Sequence, residues 1–285
     1  MLNQTKTLAL LSVLSALMIF VSHALLGGTG GVVIGIAIAA MTNLGSWYFS
    51  DKIALAAYRA QPVSASEAPQ LHAMVERLAQ RARIPKPSVY IVPTPAANAF
   101  ATGRDPHHAA VAVTQGLMNL LSTDELEGVI AHELSHVMNR DTLTQAVAAT
   151  IAGAIAFLAQ MAQFAMIFGG GSRDENGGNP LGLLVSVIVA PIAATVIQLG
   201  ISRTREFAAD AGAARLTGNP RALVSALQRL EQSARRMPMD GNPAFQPLLI
   251  SGAGAKSWLG NLFSTHPSTQ DRVANLLKVE RELAA

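Results

Sequence analysis

His132 and His136 stand four residues apart in the stretch Ala131–Asp141, AHELSHVMNRD. On a helix, residues four apart share a face, so both imidazoles can point at one ion. Zinc takes neutral imidazole nitrogen readily, and a catalytic zinc keeps one position open for water. Glu133, beside the first histidine, sets a carboxylate where it can take a proton from that water. The chain has only 7 His, so an H-E-x-x-H pattern is a weak product of chance. The bland alternative is a helix that merely carries two histidines and a surface glutamate. Its surroundings speak against that.

The chain contains no cysteine, so every further metal ligand must be His, Glu or Asp. The strongest candidate is Glu206, in Glu206-Phe207-Ala208-Ala209-Asp210. The E-x-x-x-D spacing is helical and puts both carboxylates on one face. Glu206 can bind the metal while Asp210 hydrogen-bonds a ligand histidine and orients it. An exposed carboxylate pair at that spacing would repel itself unless a cation sat nearby. His107 and His108, adjacent to each other beside a turn, read as solvated side chains rather than ligands.

The elements that must position these residues divide into apolar and water-soluble stretches. Of the 285 residues, 50% are hydrophobic and 14% charged. Soluble domains usually carry about 25% charged residues, so the deficit points to a membrane protein. The net charge of +3 comes without an arginine-rich arm or an aromatic–basic pattern, which excludes nucleic acid as a partner. Thr7–Leu26 and Val32–Ser50 are two apolar runs of spanning length, separated by the turn Gly27–Gly31, GGTGG. Trp47, Tyr48 and Phe49 sit like an interfacial aromatic belt. A cleaved signal peptide has a shorter apolar core than Thr7–Leu26, and the hairpin argues for retained anchors. Lys6, Lys52 and Arg59 flank the pair while the turn is uncharged, so the positive-inside rule places the N-terminus and the chain after Ser50 in the cytoplasm. Leu143–Phe168 and Pro180–Leu199 form a second candidate hairpin around the linker Ser172–Gly178, softened by Gln145, Gln160, Gln163 and Gln198.

Between and after the hairpins the pattern is that of a folded domain. Glu67–Ile84 has helical apolar spacing and ends at Pro85-Lys86-Pro87. Ser88–Val92, Asn98–Thr102 and Ala109–Thr114 read as strands, with a turn at Gly103–Pro106. Ser122–Glu125, STDE, is a capping box that starts the helix carrying the two histidines. Ser202–Gly218 reads as a helix. Asn219-Pro220 caps another that runs to about Arg236, Met237–Gly254 is loop-like, and Ser264–Leu277 leads into a last amphipathic helix.

Taken together, these segments resemble the HtpX-type heat-shock membrane zinc metalloproteases, relatives of the CAAX prenyl endoproteases. The likeness covers nearly the whole chain: the first hairpin, Asn98–Gly103 (NAFATG), AHELSHVMNRD, the second hairpin, SRTREFAADAGAARLTG (Ser202–Gly218) and Ser264–Ser268. It implies an α+β, mainly helical integral membrane protein. A gluzincin-like zinc protease domain with a small β-sheet would be combined with two transmembrane hairpins. The expected division is a hairpin over 1–50, a first protease segment over 51–142, a second hairpin over 143–200 and a second protease segment over 201–285. One Zn2+ per chain would be held by His132, His136 and Glu206, with Glu133 as general base and Asp210 orienting a ligand.

The resemblance also brings His266 near the site as a candidate donor to the tetrahedral intermediate, with Arg272 bracing that region. NAFATG resembles the edge strand on which thermolysin-like proteases hold an extended peptide, making Asn98, Ala99 and Phe100 the expected substrate contacts. The implied role is quality-control cleavage of unfolded or damaged membrane proteins. The implied location is the bacterial inner membrane, multi-pass, with catalytic domain and both termini cytoplasmic and the lipid bilayer as a partner. Two competing readings stand beside it: CAAX-type processing of specific membrane-associated peptides, and a non-enzymatic scaffold whose zinc is structural. An intact Glu133 argues against the scaffold, because a structural site needs no general base.

Overall fold

The computed structural model describes residues 2–149, 203–239, 248–250 and 267–284. Two long helices open the chain, α1 (Leu2–Leu26) and α2 (Gly28–Ala57), which pack as a hairpin. The turn is tighter than GGTGG suggested. Only Gly27 lies outside the helices, at φ 70, and α2 resumes at Gly28. Small buried residues on α2 (Gly31, Gly35, Ala39, Ser46, Ser50) allow the close approach. Asn43 donates to Ser15 Oγ at 2.8 Å across it. Among the described residues α2 is the one helix long and apolar enough to cross a membrane, while the apolar stretch within α1 is Leu11–Phe20. α2 runs past Ser50, where the sequence suggested a boundary, and carries Asp51 and Lys52 into the next layer.

That layer is a four-stranded mixed sheet in the order β1-β2-β4-β3, with β1 Gln61–Pro62, β2 Ser88–Val92, β3 Ala99–Gly103 and β4 Ala109–Thr114. β2 and β4 are parallel; β1 and β3 are antiparallel to their neighbours. The three strands read from sequence are present, β3 shifted by one residue. β1 is only two residues long and gave no periodicity to detect. Every residue of β3 and β4 is buried, because both faces of the sheet are covered. Ala99, Ala101, Ala109, Val111 and Val113 face one core, with α3 (Pro69–Ala82) and the later helices. Phe100, Ala110 and Ala112 face a second core built on Ala54, Leu55 and Tyr58 of α2. The end of the apolar helix is thus the wall on one face of the sheet.

α3 buries Leu71, Met74, Val75, Leu78, Ala79 and Ala82, and it stops at Arg83, in the left-handed region at φ 54. After the short α4 (Gln115–Leu120), α5 (Thr123–Met138) starts at the expected capping box. Ser122 Oγ accepts from the Glu125 N–H, and Glu125 Oε2 accepts from the Ser122 N–H at 2.8 Å. Glu125 also accepts from Ser225 and Arg229, tying α5 to the helix over Pro220–Arg236. Beyond Met138 the chain is helical again over 141–149; the rest of the second hairpin lies outside the described residues. α6 (Arg203–Thr217), α7 (Pro220–Arg236) and α8 (Thr269–Ala284) complete the fold, α6 and α7 packing on α5 and α8 packing on both. Asn219 caps α7 through the Ala222 N–H, as its sequence implied.

The crossing of α5 and α6 is close enough to need glycine. A Cβ on Gly212 would lie 2.5 Å from Ser135 Oγ and 2.9 Å from Ser135 Cβ. We expect Gly212→Ala to destabilise the detergent-solubilised protein by about 1–3 kcal/mol through overpacking. Thermal unfolding measures it, and adding Ser135→Gly, which removes both clashing atoms, should recover part of the loss.

Candidate metal centre

α5 carries His132, Glu133 and His136 into the interface with α6, which brings Glu206 and Asp210. All five are buried. His132 Nε2 and His136 Nε2 are 3.2 Å apart, and Glu206 lies 3.8 Å from the first and 3.5 Å from the second. His132, His136 and Glu206 are the only group of three or more potential metal ligands among the described residues, with ligand atoms within 4.8 Å of one another.

Each histidine is oriented through its other nitrogen. His132 Nδ1 is 3.0 Å from Asp210 Oδ1, and His136 Nδ1 is 3.2 Å from Asp141 Oδ2. A carboxylate at Nδ1 selects the tautomer with the proton there, so both Nε2 lone pairs turn toward the same point. Two lone pairs at 3.2 Å repel unless a cation lies between them. Nitrogens about 2.0–2.1 Å from a tetrahedral zinc are about 3.3–3.4 Å apart. Two imidazoles and a carboxylate converging at this spacing therefore fit zinc.

The charge balance supports this arrangement. Burial, with the Arg272 guanidinium adding to it, pulls the His132 imidazole down to about 4, so it is neutral and ready to ligate. Burial alone would also lower His136, but Asp141, Glu206 and Glu133 together hold it above its ordinary value. Burial lifts the Glu133 carboxyl to about 7, and Glu206 adds to the rise; a divalent ion nearby would pull it down again. Asp210 would also rise on burial, but Arg272 keeps it below the usual carboxylate range. Arg272 does so with two bonds, Nε to Oδ2 at 2.9 Å and Nη2 to Oδ1 at 2.6 Å. The same guanidinium donates to the Ile250 carbonyl at 3.1 Å.

β3 approaches the site from the other side. The Thr114 N–H donates to the Asn98 carbonyl, so in this antiparallel ladder residues 98, 100 and 102 face β4 and 99, 101 and 103 face outward. The Ala101 N–H donates to Glu133 Oε2 at 2.7 Å. The Ala99 carbonyl accepts from the Ile250 N–H at 3.0 Å, and the Gly103 carbonyl accepts from Thr142 Oγ1 at 2.8 Å. β3 is an edge strand, as read from sequence, but these three outward groups already have partners in the chain. Of the three expected substrate contacts, Ala99 lies on the outward edge. Asn98 is buried, with its side chain turned to the Ala99 N–H at 3.1 Å. Phe100 is 1% exposed, its ring 5.2 Å from that of Tyr58. His266 lies outside the described residues. His107 and His108 are exposed on a turn capped by Asp105.

Asp141 was not foreseen. Five residues beyond His136 on a straight helix, it would point away from it. Arg140, in the left-handed region at φ 57, breaks the helix and returns Asp141 to the ring. A charged residue just past the motif is the only sign of this in the sequence.

Residues 65–280 match the family model of Peptidase family M48. The chain belongs to that family. As an M48 zinc metallopeptidase, it has the histidine pair and Glu206 as its metal cluster. A Protease HtpX homolog of Trichormus variabilis is 68% identical over 283 residues, covering 99% of this chain and 98% of that protein. Another, of Pyrococcus furiosus, is 49% identical over 279 residues, covering 98% of this chain and 96% of that one. The crystal structure of S. mikatae Ste24p shares the fold, with a TM-score of 0.53 at 20% identity; the match covers 96% of this M48 chain and 65% of that one.

Two predictions test how the ligands are held. Asp141→Asn keeps the shape but removes the charge behind His136, and should weaken zinc binding about 10–100-fold in competition with a chromophoric chelator. Arg272→Met leaves Asp210 buried without its cation and should cost about 3–5 kcal/mol, seen as a lowered unfolding temperature.

Proposed function

We propose that this M48 chain is a membrane-bound endopeptidase that hydrolyses peptide bonds in unfolded or damaged membrane proteins, using one zinc per chain. The observation that carries the reading is the Glu133 carboxylate, buried beside a converging His–His–Glu set and fixed by the Ala101 N–H. Bound by His132, His136 and Glu206, zinc would supply a Lewis acid for the scissile carbonyl and lower the pKa of a water. Glu133 takes the proton of the attacking water and returns it to the leaving nitrogen. The bond to Ala101 holds one carboxylate oxygen and leaves the other for the proton. Asp210 and Asp141 keep the two imidazoles in the ligating tautomer throughout.

The protease segments 51–142 and 201–285 fold as one gluzincin-like domain on this reading. The membrane part of the reading is supported by α2, by the aromatic residues Trp47–Phe49 near its end and by the identity to HtpX homologs. Both hairpins, 1–50 and 143–200, cross the bilayer, with the catalytic layer and both termini on the cytoplasmic side of a bacterial inner membrane. His266 is the candidate donor to the tetrahedral intermediate. The outward edge at Ala99 is the candidate contact for the substrate backbone, which would take the place of the Ile250 N–H on the Ala99 carbonyl.

The test uses the full chain purified in detergent, an unfolded soluble protein as substrate, and bound zinc measured in parallel. Glu133→Gln should keep its zinc while cleavage falls by about 10²–10⁴-fold, the usual contribution of a general base. Stripping zinc should abolish cleavage in the wild type, and adding it back should restore it. A Glu133→Gln protein that still cleaves at the wild-type rate would overturn the assignment.

A further inference from the structure

The turn between β3 and β4 reaches back along α2. Arg104 places its guanidinium 4.8 Å from the centre of the Tyr48 ring. Tyr48 is itself edge-on to Phe49 at 5.0 Å and 6.4 Å from Trp47, and Lys52 lies 5.4 Å over Phe49. Trp47, Tyr48 and Phe49 are each more than two-fifths exposed, although they stand at the end of an apolar helix. Aromatic rings so placed sit at the headgroup level of a bilayer. The same turn exposes His107 and His108. Asp105 offsets part of the positive charge: it accepts from the N–H groups of both histidines, lies 2.9 Å from His108 Nδ1 and lies 3.8 Å from Arg104 Nε.

The turn is one end of a longer alignment. Tyr58 packs on Phe100 while Tyr48 packs under Arg104. Along α2 the two tyrosines are about 15 Å apart at 1.5 Å per residue. Along β3 the two partners are about 13 Å apart at 3.3 Å per residue. Helix and strand therefore lie side by side in opposite directions, pinned at both ends with nearly matched lengths. Ala101, which holds Glu133, falls between the pins, about 10 Å from the Arg104 end by the same rise.

Resting on the membrane reading above, we propose that the β3–β4 turn is a foot on the lipid surface and that β3 is a ruler. Arg104 and Lys52, with the exposed His107 ring, seat on phosphate headgroups. The strand then holds the catalytic carboxylate about 10 Å beyond the aromatic belt. The substrate class this selects is the juxtamembrane segment of a membrane-spanning protein, cut a few residues after it leaves the bilayer.

The chain has no cysteine, so single spin labels can be placed cleanly. In proteoliposomes, His107→Cys should carry a label with lipid-interface accessibility. Gln115→Cys, at the opposite end of β4 and about 20 Å along the strand direction, should be fully aqueous. Equal aqueous exposure of both labels would overturn the foot, and this readout needs no activity. For the ruler, cuts are mapped by mass spectrometry in a substrate with one membrane helix and a long unstructured cytoplasmic tail. Wild type should cut in a cluster next to the membrane. Arg104→Ala with Tyr48→Ala should lose the clustering, with cleavage of the unfolded soluble protein in detergent unchanged. Wild-type cuts spread evenly along the tail would overturn the ruler. Failure to cleave the soluble protein would instead refute the peptidase assignment, and the label depths would still decide the foot.

Discussion

The structure is organised around the cost of keeping charge away from water. Glu133, Glu206, Asp210, Arg272 and two imidazoles lie within one sealed interface, each less than a tenth exposed. An isolated buried ion is prohibitively expensive, so each must be met by an opposite charge or a donor. Arg272 answers Asp210, Asp210 answers His132, Asp141 answers His136, and the Ala101 amide answers Glu133. Glu206 and the two facing imidazole lone pairs converge on one point, where a divalent cation would balance them. The helices, the sheet edge and the chain reversal at Arg140 are the means of delivering these groups to one place.

This dependence explains which parts could be read from the chain. The two histidines lie on one helix, and so do Glu206 and Asp210; helical periodicity alone fixes what shares a face. Ser122 and Glu125 announce the start of α5 because capping is a local bond. The contacts that join separate elements left no such trace. Nothing near Ala101 says that its amide will meet a glutamate 32 residues later. Phe100 is an expected substrate contact because NAFATG resembles a substrate-holding edge strand, and only the tertiary structure sets it against Tyr58. β1 has two residues, one of them a proline, too little for any pattern.

Arg272 illustrates the intermediate case. Its type and its place after the His266-Pro267 pair suggested a brace, and its partners in space are Asp210, the Ile250 carbonyl and the edge of His132. One guanidinium, with its fixed fork of donors, thus links α8, α6 and the segment around Ile250. Lysine would offer charge without that geometry. The residue was legible, but its connections were not.

The two cores share β3 and β4, with Phe100, Ala110 and Ala112 covered by the last turns of α2. A cut in the chain before Tyr58 would therefore not liberate a working enzyme into the cell. It would uncover an apolar face of the sheet whose Ala101 N–H holds Glu133, and that face would drive the fragment to aggregate or unfold. Separation from α2 would silence the peptidase, so its activity and its apolar helix stay together in one fold.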